Sequence, residues 1–283
     1  MNARKLYQKL DQDFELENLT DDWKEMDFNE YITDNFKKHY MGLVSDNSKE
    51  VNRVYTAVFP DKKILDKLLD SGEKDILLFV HHPMIWDIAT LPVFKSISRG
   101  YLKRLRENRI SIYNLHSPLD KNGPYSTSVN LAEALGIIQE GEFFEYFGVK
   151  SSIIGRTDSQ TVEELAMKIE SIVGHKVKLW FYGLQEIKNG KVALSAGGNF
   201  PEQISELAKL GINTLITGVT RPVKSYAPSM ETHRLAEEKK INIIGATHYS
   251  TEKFACIAIV EYFKKLGLPA EFVQGEPDLN DLE

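Results

Sequence analysis

Seven histidines are spread along the 283-residue chain, and two of them, His81 and His82, are adjacent. An apolar run over residues 76–80 leads straight into the pair and Pro83 closes it, which places both imidazoles at the end of a strand. Pro83 also disfavours helical backbone at His82. Neighbours on an extended chain point to opposite sides, so the two rings are expected to serve two different ions. A second apolar run, residues 110–115, delivers His116 and then Asp120. A third, residues 241–246, delivers His248 and then Glu252. In parallel α/β sheets, strand ends and the loops after them gather at one edge, where ligands bind. Three such ends would bring four histidines and two carboxylates together.

Taken singly, each residue has a plain structural role. A histidine at a strand end often makes one hydrogen bond, and Glu252 suits the first turn of a helix capped by Ser250 or Thr251. The set argues otherwise, because four imidazoles and two carboxylates buried together without a cation would be costly. Nitrogen and oxygen donors without thiolate fit Zn, Fe, Mn, Co or Ni. A carboxylate such as Glu252 could bridge two ions, and water held between two such ions is a nucleophile at neutral pH. That chemistry is hydrolytic. His116 and Tyr249 are the candidates for moving a proton. The segment after Thr217 carries Arg221, Lys224 and Tyr226, which could hold an anionic substrate, although a solvated loop has the same composition. No His-Glu-x-x-His, P-loop, Gly-x-Ser-x-Gly or Gly-x-Gly-x-x-Gly pattern is present. Gly197-Gly198 reads as a tight strand-to-helix turn. His39, His175 and His233 read as surface or structural residues, and Cys256 as a small core residue.

The elements that must position these residues alternate. Strands are expected over residues 53–59, 75–80, 110–115, 191–195, 214–217 and 241–246, several as continuous apolar runs suited to burial on both faces. Helices are expected over 61–71, 129–135, 161–173, 200–210, 229–239 and 251–266. The pattern is α/β with mainly parallel sheets. A soft division near residues 136–148 gives two halves, 1–136 with His81, His82, His116 and Asp120, and 137–283 with His248 and Glu252. Residues 11–38, rich in acidic and aromatic side chains, suit a helical cap over the sheet, and the acidic tail 274–283 is expected to fray. Acidic residues outnumber basic ones 41 to 35, a charge of −6 that offers no general attraction to nucleic acid. One cysteine permits no intrachain disulfide, which suits a reducing, cytoplasmic setting. No apolar run approaches the roughly 20 residues that cross a bilayer, and the charged N-terminus lacks a signal-peptide core.

The motifs His81-His82-Pro83, His116-Ser117-Pro118-Leu119-Asp120, Ser195-Ala196-Gly197-Gly198 and Gly245-Ala246-Thr247-His248-Tyr249-Ser250-Thr251-Glu252 resemble, in order, those of the NIF-three-like proteins, widely named GTP cyclohydrolase I type 2 homologues. The resemblance spans about residues 51–273. It implies two interlinked α/β domains with a dinuclear metal centre in the cleft between them, and a homohexameric ring with inward-facing sites. Carried over, the ligands of two divalent ions per chain would be His81, His82, Asp120, His248 and Glu252, with His116 as a further ligand or a supporting group. The function implied is a metal-dependent hydrolase of a small nucleotide-like or phosphorylated substrate. The alternative is a non-catalytic metal-binding assembly or partner-docking scaffold. Three departures bear on that choice. The N-terminal region keeps only Asp21-Asp22-Trp23 of the family's entry, residues 121–129 are looser than its usual turn, and Val219, Arg221 and Lys224 stand where it commonly has a Glu and paired histidines.

Overall fold

A computed structural model describes residues 1–224 and 227–283. The chain forms two compact units, Met1–Leu119 with Cys256–Glu276, and Asp120–Ala255 with Pro277–Glu283. Asp120 therefore counts with the second unit, although it closes the short Ser117–Asp120 helix just after His116. Both units are mixed α/β, with parallel strands at the centre of each sheet.

The first unit is built on a five-stranded sheet in the order Gly42–Ser45, Ile110–Asn114, Ile76–Val80, Arg53–Ala57, Ala270–Phe272. Only the Gly42–Ser45 edge runs antiparallel to its neighbour. The all-apolar Ile76–Val80 strand is buried on both faces, which explains why it shows no alternation. Ile76, Leu78 and Val80 share a core with Ile64, Leu65 and Leu68 of the Lys62–Asp70 helix and with Leu102 and Leu105 of the Arg99–Glu107 helix. Phe79 faces the other way, against Tyr113 and Phe263. Trp23, Met26, Ile32 and Phe36 enter the first of these cores. They do so largely from turns, with one short helix at Asp34–His39, where a helical cap was expected. Asp and Ser residues cap the flanking helices: Asp61 accepts the Ile64 amide and Ser98 the Tyr101 amide.

The second unit carries a six-stranded sheet in the order Ile138–Tyr146, Val149–Arg156, Lys191–Ser195, Thr214–Thr217, Asn242–Gly245, Lys178–Trp180. The three strands from Lys191–Ser195 to Asn242–Gly245 are parallel, and antiparallel strands flank them. The helices Val162–Val173, Pro201–Leu210 and Ala227–Lys239 fall where periodicity placed them. Thr161 and Glu164 form a reciprocal capping box at the first of these. The helix expected over 251–266 runs His248–Lys265, so it begins at the histidine itself. The tail does not fray. It ends in a 3-10 turn, Leu279–Leu282, with Asp281 fully buried. Among the described residues, no helix is long and apolar enough to cross a membrane.

One ion pair staples the strand starts of the first unit. Asp75, held at φ +60°, accepts from Arg109 Nε and Nη2 at 2.8 Å each and from the Ser48 hydroxyl at 2.7 Å, while its carbonyl accepts the Asn52 amide. The Arg109 and Ser48 hydrogen bonds hold the Asp75 carboxyl down from its ordinary 3.8 to about 2. An acid held down in the folded state adds stability above its unfolded value that is lost as pH falls through the folded one. Asp75→Asn is expected to cost about 1 kcal/mol at pH 7, the pair being solvent-screened. Urea unfolding should show the deficit at pH 7 and its narrowing between about pH 4 and pH 2.

Candidate metal centre

In the first unit, Ile76–Val80 and Ile110–Asn114 pair in parallel with Val80 opposite Asn114, so both strands end level. Backbone hydrogen bonds carry the ladder past these ends: the His81 amide donates to Ala57, the His82 amide to Val58 and the Leu115 amide to Val80. His81, His82 and His116 consequently emerge together. A ring nitrogen of each lies within 4.8 Å of the others, and all three side chains are buried. The ring centroids of His81 and His82 are 4.4 Å apart, so the adjacent residues do not point to opposite sides as expected. The chain bends at His81, and strict alternation ends where the extended backbone does.

Each ring is oriented by what surrounds it. His81 Nδ1 lies 2.9 Å from the Leu115 carbonyl, which can only accept, so Nδ1 carries the hydrogen and Nε2 is the ring atom able to ligate a cation. His116 Nδ1 lies 2.6 Å from Asp21 Oδ2, and the Ser117 amide donates to the same oxygen. Burial pushes the Asp21 carboxyl up, but the His116 ring and the Asp22 and Ser117 amides outweigh it and hold it below the ordinary carboxylate range. An ionised carboxylate behind a histidine fixes the tautomer and strengthens the opposite nitrogen as a ligand. His82 stacks on Phe59 at 4.7 Å with Trp23 edge-on at 5.7 Å, a pairing that restricts ring rotation. Asp21 stood out in the sequence only as part of Asp21-Asp22-Trp23, and nothing there tied it to a histidine 95 residues away.

The second unit repeats the device. Ser195 is opposite Thr217, and Thr217 opposite Gly245, so three parallel strands end level. After them Thr247 adopts φ +63°, a strained conformation for a β-branched residue. Its side chain and carbonyl are both used: Thr247 Oγ1 accepts the Ser250 amide and its carbonyl accepts the Thr251 amide and hydroxyl. That turn starts the helix at His248, and one helical turn on brings Glu252 Oε1 to 3.2 Å from His248 Nε2. The space around this pair is made by glycine. A Cβ on Gly197, at φ +79°, would lie 2.4 Å from Glu252 Oε1, and one on Gly218 would lie 2.2 Å from the Gly197 carbonyl. The glycine turn is thus set by the approach of a carboxylate. Asp120, also buried, accepts from the Thr127 hydroxyl at 2.8 Å through Oδ1.

The buried His, Asp and Glu groups could therefore hold metal ions, by donor type and by the room left for them. Tyr249 is buried beside His248 in sequence. Arg221 is half-buried and Lys224 exposed, while Tyr226 lies outside the described residues. His175 and His233 are structural: His175 Nε2 is 2.8 Å from the Ser250 hydroxyl, and His233 bridges the Tyr182 hydroxyl and the Thr220 carbonyl. Asp21→Asn is expected to weaken divalent-ion binding about 10-fold. Competition against a chromophoric chelator measures this, and an unchanged affinity would show that Asp21 does not steer His116.

Comparison with known proteins agrees with this architecture. The sequence profile of Duf34/NIF3 (NGG1p interacting factor 3) matches residues 33–278. A Pyrococcus horikoshii protein named GTP cyclohydrolase 1 type 2 homolog is 31% identical over 242 residues, 84% of this chain and 90% of that protein. The Escherichia coli K12 protein of the same name is 27% identical over 227 residues, 79% and 84% of the two chains. Among solved structures, protein ybgI, described as of unknown function, superposes with a TM-score of 0.76 at 24% identity, over 98% of this chain and 100% of that one. Reduced HcgD from Methanocaldococcus jannaschii superposes with a TM-score of 0.67 at 22% identity, over 97% and 98%. With most of its length matched by that profile, the chain belongs to the Duf34/NIF3 family.

Proposed function

We propose that this protein is a metal-dependent hydrolase of a small nucleotide-like or phosphorylated molecule, working with two divalent ions per chain held by His81, His82, Asp120, His248 and Glu252. One observation carries the proposal: three buried imidazoles, His81, His82 and His116, whose donor atoms cluster within 4.8 Å, two with Nδ1 already committed to fixed acceptors. Asp120 and Glu252 add the anionic donors that imidazoles lack, and such a mixed set suits Zn, Fe, Mn, Co or Ni. Bound there, the ions would supply Lewis acidity and an acidified water.

The chain's own residues do the rest. Asp21 holds His116 in one tautomer, leaving Nε2 to bind an ion or exchange a proton with substrate. Thr127 steadies Asp120, and Gly197 leaves the Glu252 carboxylate its place. Tyr249 is the second candidate for proton movement. Arg221 and Lys224 offer positive charge to a phosphate group. The names of the relatives make GTP the first substrate to try. By the same family likeness the working form is a homohexamer in the cytoplasm, a state that light scattering on a sizing column measures.

Metal analysis by inductively coupled plasma mass spectrometry should find about two transition-metal ions per chain, and fewer in Glu252→Ala. Metal-loaded protein screened against nucleotides and phosphate esters should turn one over, with a loss of about 100-fold in that variant. Protein that neither contains metal nor takes it up on reconstitution would sink the proposal. Metal without turnover would favour the non-catalytic scaffold, a reading supported by the departure from the family pattern at Val219, Arg221 and Lys224.

A further inference from the structure

Asp281 is a fully buried carboxylate in the second unit, on the turn Leu279–Leu282. Its Oδ2 accepts the backbone amide of His248 at 2.7 Å. Its own carbonyl accepts two further amides, Thr220 at 2.8 Å and Arg221 at 2.9 Å. A single residue therefore grips two neighbouring loops, the one that starts the His248–Lys265 helix and the one that carries Arg221 and Lys224. The first amides of a helix have no partner within it, and a carboxylate there satisfies one and favours the dipole. Thr247 gives the grip its purpose. A β-branched residue at φ +63° persists only where its surroundings hold it, and the next residue's amide is held by Asp281. The loop is held from other sides too: the Val219 amide donates to the Gly197 carbonyl, and His233 Nε2 to the Thr220 carbonyl. The family profile stops at residue 278, three residues before Asp281.

We propose that Asp281 is a positioning residue that couples the metal-ligand helix to the cationic loop: an ion seated on His248 and Glu252 also orders Thr220 and Arg221, through Asp281. The proposal rests on the metal site argued above. Coupling of this kind is reciprocal, so an anion that orders the loop would tighten metal binding by the same factor. Arg221 would then meet substrate in its final place only after the ion has bound.

The test uses the full chain and Zn²⁺ alone as probe, in wild type, Asp281→Ala and Asp281→Asn. Affinity is read by competition with a chelator, and amide exchange over residues 219–221 and 247–249 is followed by mass spectrometry with and without Zn²⁺. In wild type, Zn²⁺ should slow exchange in both segments. Asp281→Ala should bind Zn²⁺ about 10-fold more weakly and lose the zinc-dependent protection at 219–221. Asp281→Asn keeps an oxygen acceptor for the His248 amide and should restore most of both effects. Equal affinity and an equal exchange response in wild type and Asp281→Ala would overturn the coupling while leaving the metal site standing. Absence of Zn²⁺ binding by wild type would remove the metal site itself, and the coupling with it. Should Asp281→Ala fail to fold, Asp281→Glu carries the test, since its carboxylate is displaced by one methylene. An unaltered affinity and exchange response in that variant would overturn the proposal.

Discussion

Level strand ends are the constraint from which the candidate site follows. Parallel strands have evenly spaced, slanted hydrogen bonds, and when neighbours stop at the same rung their continuing chains must turn at the same edge. Val80 stops opposite Asn114 in one sheet, and Ser195, Thr217 and Gly245 stop together in the other. The residues just beyond those rungs are the histidines and the glycine turn. The apolar runs before them do no chemistry, yet their burial on both faces prevents slippage: a shift of one residue would exchange Phe79 for Leu78 between two different cores. A hydrophobic ladder thus sets the position of polar groups it never touches.

What surrounds those groups is a second layer of constraint, drawn from distant parts of the chain. Asp21 reaches His116 across 95 residues and Asp281 reaches His248 across 33. Both carboxylates are buried and both act on a histidine rather than in its place, one through the ring and one through the backbone. The glycines do the complementary work of leaving space. Gly197 and Gly218 lie so close to Glu252 and to one another that any side chain would displace the carboxylate or the loop. Orientation by carboxylate and clearance by glycine together leave His248 and Glu252 little freedom to relax apart.

Much of this could be read from residues alone, and the gaps have physical causes. The central strands and most helices announce themselves because burial on one or both faces imposes a pattern. The Ile138–Tyr146 strand was missed: of its nine residues only Phe143 is buried, so no face repeats. The Lys178–Trp180 and Ala270–Phe272 strands are three residues long, too short to carry a period. The histidines and their following carboxylates stood out by sitting after apolar runs. Their mutual geometry did not, since the bend at His81 cancels the alternation that extended chain would impose. Asp281 was hidden by company, one acid among several, while Asp21 was visible within Asp21-Asp22-Trp23 but its partner His116 was too distant in sequence to be inferred. The tail was expected to fray on composition, which carries no information about a single carboxylate that finds an amide at a helix start.

The first unit is discontinuous in sequence, and that has a consequence for synthesis. Its sheet ends on Ala270–Phe272, which pairs with Arg53–Ala57, yet more than a hundred residues of the other unit are translated between them. A nascent chain that has emerged only to Leu119 can form the Arg53–Ala57, Ile76–Val80 and Ile110–Asn114 strands while one flank of Arg53–Ala57 stays open. An unpaired edge of that kind is an invitation to strand exchange with another nascent chain.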